Sequence, residues 1–156
     1  MTSGTLSEAE KMTRSALDCV SAYSSALATA DTKSMEKLRA TDYVLDWVHG
    51  DAFEDPPLTN EEATRFWPSW LAGFPEMDYE ITRTIAGETV VVVQWIFTGT
   101  HTANIEPPIF NHSLKPTGRT IRFRGISVFD VADGLIQKET AYIDLATLFV
   151  ELGMDE

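Results

Sequence analysis

Cysteine is almost missing from this sequence. The one that occurs, Cys19, cannot close an intramolecular disulfide, and its helical surroundings suit a small core residue. No cysteine–histidine pair has zinc-ligand spacing, so no metal site is expected. Long apolar runs are missing too: the longest pure valine run, Val90 to Val93, is far too short to span a bilayer. The opening MTSGTLSEAEKM lacks a basic segment followed by an apolar one, so a soluble, cytoplasmic protein is expected. Basic charge is scarce, with 12 Lys and Arg against 24 Asp and Glu and a net charge of −12. Such a surface repels nucleic acid and anionic headgroups, so neither is an expected partner. Repeats, low-complexity tracts and linkers are also missing. The 156 residues make one domain, with 1–7 and 154–156 expected as flexible ends.

What is present is patterned. SEAE at Ser7–Glu10 has capping-box spacing, and Met12, Ala16, Leu17, Val20, Tyr23 and Leu27 follow at steps of three and four. That predicts a helix over about residues 8–29. Asp31 or Thr32 can cap a short second helix, and TDYVLDWVHG reads as a strand. TNEE at Thr59–Glu62 opens a third helix, which Pro68 either kinks or delays. MDYEITRTI, TVVVVQWIFTGTHT, RTIRFRGISVFDV and LIQKETAYI read as strands, the second buried on both faces at its start. Residues 103–118 form a long loop with three prolines, ADG is a tight turn, and a last helix runs from near Asp144 to Gly153. Helices followed by strands in hairpin succession mean an α+β fold with an antiparallel sheet. A strongly curved sheet folded over helices leaves a pocket on its concave face.

FPEMDYEI, WIFTGTHT, PTGRTIRFRGISVFDVADGLI and YIDLATLFVELG occur in the order and spacing of the SnoaL-like polyketide cyclases of the nuclear transport factor 2-like superfamily. The chain resembles that family over about residues 10–153. The resemblance implies a cone-shaped α+β barrel and, as the first reading, cofactor-free acid–base catalysis on a small hydrophobic, oxygenated, polyketide-like carbonyl compound. The reaction classes open are cyclisation, isomerisation and dehydration. It also implies a homodimer through the outer sheet face. The second reading is a non-catalytic ligand-binding or interaction module, since the superfamily hosts both.

Strand alternation sorts the candidates. On the last strand Ile136, Lys138, Thr140, Tyr142 and Asp144 share one face, and Gln137, Glu139, Ala141 and Ile143 the other. With the first set inward, Asp144 is a pocket acid/base beside Tyr142. It is equally a natural N-cap before LATL. Many relatives carry a Glu-His-Trp-Asp-like run on this strand, where this chain has Lys138, Glu139, Thr140 and Ala141. If the family carboxylate belongs at Ala141 it is missing here, and either Asp144 carries the acid/base role on this strand or nothing on it does, Asp144 being then only a cap. Asp46 is a second carboxylate candidate, but Trp47 and His49 on the opposite face make the richer lining. His101, ending the long strand, either donates to a ligand carbonyl or bonds the neighbouring loop. Trp67, Trp70 and Trp95 are candidate pocket walls as well as core, and the 103–118 loop is a candidate lid. Arg122 and Arg124 read as a solvated outer face.

Overall fold

The computed structural model describes residues 4–48 and 56–154. Ser7 accepts from the Glu10 amide at 3.1 Å and opens α1, Glu8–Ala28. The stripe Ala16, Cys19, Val20, Tyr23 and Leu27 is buried, one face of the helix as its spacing requires. Asp31 caps α2, Thr32–Lys37, and β1 spans Arg39–Val48. A two-residue strand, β2 (Leu58–Thr59), has no signature in the pattern. Thr59 and Glu62 close the expected capping box on α3, Asn60–Ala72, which runs through Pro68.

The remaining strands, β3 (Met77–Ala86), β4 (Val90–Thr100), β5 (Thr120–Ala132) and β6 (Leu135–Ile143), pair antiparallel in succession. Asp133 and Gly134, with φ of 55° and 73°, make the tight turn between β5 and β6. α4, Leu145–Leu152, ends on Gly153 at φ 73°.

The sheet order is β2-β1-β6-β5-β4-β3, curved and unclosed, with the N-terminal helices against it. The α+β expectation holds, with one addition: β1 lies parallel to β6, so the sheet is mixed at that pair. β4 differs from its doubly buried expectation. Val91, Val93, Trp95 and Phe97 are buried while Val90, Val92 and Gln94 are half-buried, an ordinary alternation.

One irregularity positions the site. Across β5 and β6, Val131 pairs with Ile136 but Asp130 pairs with Lys138, so Gln137 is an extra residue. An inserted residue inverts the parity of everything after it. Ile136 faces the core as expected, but Glu139 and Ala141, not Lys138 and Thr140, follow it inward. Glu139 is 4% exposed and Ala141 0%, against 52% for Tyr142.

Candidate active site

Aromatic side chains from most elements converge on a cavity of about 210 Å³. Phe66, Trp67 and Trp70 come from α3, Trp47 from β1, Tyr79 from β3, and Trp95 and Phe97 from β4. Phe123, Glu139 and Ile143 come from the β5–β6 side, and Leu27 from α1. Leu145, Leu148 and Phe149 of α4 and Ile109 and Phe110 of the long loop complete it. Glu139 is the one carboxylate among the described lining residues.

Glu139 is held from two sides. Ser127 Oγ donates to its Oε2 at 2.9 Å, and Trp95 Nε1 donates to that same Oγ at 2.9 Å. The Tyr43 hydroxyl donates to Oε1 at 3.4 Å. Burial pushes the Glu139 carboxyl up to about 7, against the opposing pull of those two hydroxyls and the charge of Arg39. A carboxyl in this range exchanges a proton near neutrality, which is what an acid/base needs. The Tyr79 phenol is pushed well above its ordinary value by burial and then by the charge of Glu139, so it stays protonated and can donate. Trp47 and Trp67 carry buried indole N–H groups with no partner among the described residues, their rings 6.0 Å apart.

The structure brings the side chains of Trp47, Trp67, Trp70 and Trp95 together around the cavity. It does not bring Asp144 to them. The Asp144 carboxylate is the exposed N-cap of α4, accepting from the Thr147 amide at 3.2 Å and hydroxyl at 2.7 Å. Those two hydrogen bonds hold it below the usual carboxylate range, the wrong direction for a base near neutrality. Tyr142 is likewise corrected to the outer face, beside Ile126 and Val48 in the pairing register, because of the extra residue at Gln137. Asp46 lies on the opposite face of β1 from Trp47, since alternation admits one or the other. His49 lies outside the described residues.

His101 is fully buried but does not line the cavity. Its Nδ1 accepts from the Thr117 amide at 3.1 Å, and its backbone pairs with Gly118 and Arg119. It ties together the two ends of the long loop, the alternative weighed for it above. Burial holds its ring below the usual histidine range, opposed by the Ala103 backbone. The loop is pinned further out, where Ser69 Oγ of α3 donates to the carbonyls of Glu106 at 2.6 Å and Pro107 at 3.0 Å. Arg122 and Arg124 are exposed, as expected.

Asp144→Ala is therefore expected to lower Tm by about 3 °C through loss of the cap and to leave turnover unchanged. Calorimetry and a rate measurement on one preparation check both halves.

Unbroken alternation from Ile136 puts Glu139 on the outer face; the extra residue at Gln137 turns it inward. The one available signal was its place on the same face as Ala141. Glu139 thus puts a carboxylate on the same inward face as Ala141, two residues earlier.

A family model, SnoaL-like polyketide cyclase, matches residues 17–152. No curated protein matches the chain. Among solved structures, a protein of Jannaschia sp. CCS1 described as a SnoaL-like polyketide cyclase is 16% identical, with TM-score 0.77, covering 98% of this chain and 99% of that one. IdmH of Streptomyces antibioticus, described as a polyketide cyclase, is 25% identical, with TM-score 0.68 and coverage of 88% and 97%. An LEH-like epoxide hydrolase of M. tuberculosis is 18% identical, with TM-score 0.66 and coverage of 90% of both chains.

Proposed function

The chain belongs to the SnoaL-like polyketide cyclase family, and from that premise we propose that it is an acid–base enzyme whose proton carrier is Glu139. The Glu139 carboxylate removes a proton from a carbon next to a carbonyl of a flat, apolar substrate. The enolate so formed attacks within the same molecule, shifts its double bond, or expels a leaving group, and Glu139 returns the proton. Tyr79 donates a hydrogen bond to the oxygen on which charge develops. The indole N–H groups of Trp47 and Trp67 are further donors that a ligand oxygen would satisfy. The supporting observation is one buried carboxyl, titrating at about 7, in an otherwise aromatic and aliphatic lining.

At about 210 Å³ the cavity lies below the usual range for ligand pockets, which favours a compact substrate of one or two rings over an extended one. A generic probe fits that limit. 5-Nitrobenzisoxazole is a flat bicycle whose ring N–O bond breaks when a base takes its C–H proton, releasing a coloured phenolate. The enzyme is expected to accelerate this opening, with kcat/KM rising through about pH 7 as Glu139 ionises. A profile without a midpoint near neutrality rejects Glu139 as the base.

The loop acts as a cover through Phe110 and Ile109. Phe110→Ala is expected to raise KM for the same probe about tenfold with a smaller change in kcat, because the lost contact is apolar burial. Equal KM in the two proteins would remove the loop from binding.

A further inference from the structure

Arg39 is a buried cation. It is 6% exposed, and among the described residues no carboxylate lies within ion-pair distance of it. Its Nε donates to Asn60 Oδ1 at 3.0 Å, Nη2 to Thr64 Oγ1 at 3.1 Å, and Nη1 to the Tyr23 hydroxyl at 3.3 Å. Its guanidinium carbon stands 5.3 Å from the centre of the Tyr43 ring. These contacts give each guanidinium nitrogen a partner but bring no opposite charge, and an uncompensated buried charge is costly. The guanidinium cannot neutralise itself. The counter-charge must come from elsewhere in the core.

Glu139 supplies it. Tyr23 and Tyr43 are each 1% exposed and stand between the two ions. Tyr23 accepts from Arg39, and Tyr43 donates to Glu139. Both phenols register the ions at either end: burial and then Glu139 push Tyr23 up to about 12, while Arg39 pulls it down. We propose that Arg39 is a positioning residue for Glu139, a remote counter-ion that acts through Tyr23 and Tyr43 to hold that carboxyl partly ionised. The cation offsets part of what burial does, so a working fraction of base exists near neutrality. The other groups facing Glu139 do not replace it. Tyr43 and Ser127 donate neutral hydrogen bonds, Tyr79 is a neutral phenol, and α3, α4 and the loop present apolar side chains to the cavity.

The inference deepens the acid–base reading of Glu139, but its test needs no substrate. Chain labelled with carbon-13 at the glutamate side-chain carboxyl is titrated by NMR, and Glu139→Gln identifies the resonance. Arg39→Met is expected to move the Glu139 midpoint upward by about one pH unit, and Arg39→Lys to keep it near the wild-type value. Asn60→Asp is a second, nearly isosteric variant for the case in which Arg39→Met does not fold. It puts a carboxylate on Arg39 Nε and neutralises the cation in place, so the midpoint should rise there too. An unmoved midpoint in either folded variant overturns the proposal. A moved midpoint together with a fully active Glu139→Gln would uphold the remote pairing and reject the catalytic reading alone.

Discussion

Glu139→Gln is expected to slow proton abstraction from carbon by roughly 10²- to 10⁴-fold, the range over which a positioned acid/base contributes. Glutamine keeps the size of the side chain and still accepts the Ser127 hydrogen bond, so the aromatic lining should survive. What it cannot do is take a proton. KM for the flat probe should change little, since the cavity lining is aromatic and aliphatic apart from this carboxyl. The loss should fall in kcat, and the rise of kcat/KM through about pH 7 should vanish with it. A kcat for Glu139→Gln within threefold of the wild-type value would sink the assignment. Asp144→Ala, run in parallel, separates the two carboxylates: it should cost thermal stability and no rate.

The same substitution should reverse its sign as a stability mutation between acid and alkaline pH. Burial raises the Glu139 carboxyl from 4.5 to about 7. Below about pH 4.5 folded and unfolded chains both hold the proton, and the contribution to stability is fully present. Between 4.5 and 7 the unfolded chain releases the proton while the folded chain keeps it, so stability declines as pH rises. Above about 7 the folded chain must bury a carboxylate, and the whole contribution is lost. The gap corresponds to about 3 kcal/mol, an order-of-magnitude figure. Glutamine has nothing to ionise. Urea unfolding at pH 5 and pH 8 should find the variant equal to or less stable than wild type at the lower pH and more stable at the higher. A difference that is the same at both pH values would mean that the carboxyl is not desolvated in solution.

Much of this was legible in the residue order. Ser7, Asp31, Thr59 and Asp144 were readable as helix starts because a cap is a local hydrogen bond to an amide two or three residues on. The choice of Trp47 over Asp46 for the interior was readable because alternation on β1 is unbroken through the pair. The inward place of Glu139 was not readable, for a reason of the same kind. A β-bulge needs no special residue, and Gln137 carries no glycine or proline signal, so the parity of β6 looked continuous from Ile136. His101 was ambiguous because its role depends on Thr117, which a sixteen-residue excursion of chain brings back to it. Arg39 opens its strand beside Ala40 and looks like an edge cation. Only the convergence of α1, α3 and β1 buries it.

The parallel pairing of β1 with β6 gives assembly of the site an order in time. The Tyr43–Glu139 hydrogen bond joins residues 96 positions apart, and β1, which pairs locally with β2, meets its long partner β6 only once the chain through β6 exists. Closing so long a loop comes late and makes the fold slow, because its chain entropy is spent before the contact rewards it. During synthesis the first two helices, β1 and α3 emerge with an unpartnered cation and half an aromatic wall. The carboxylate arrives only with β6. Until then Glu139 is in water with an ordinary affinity for its proton, and its carboxyl takes on its raised affinity only as β6 docks.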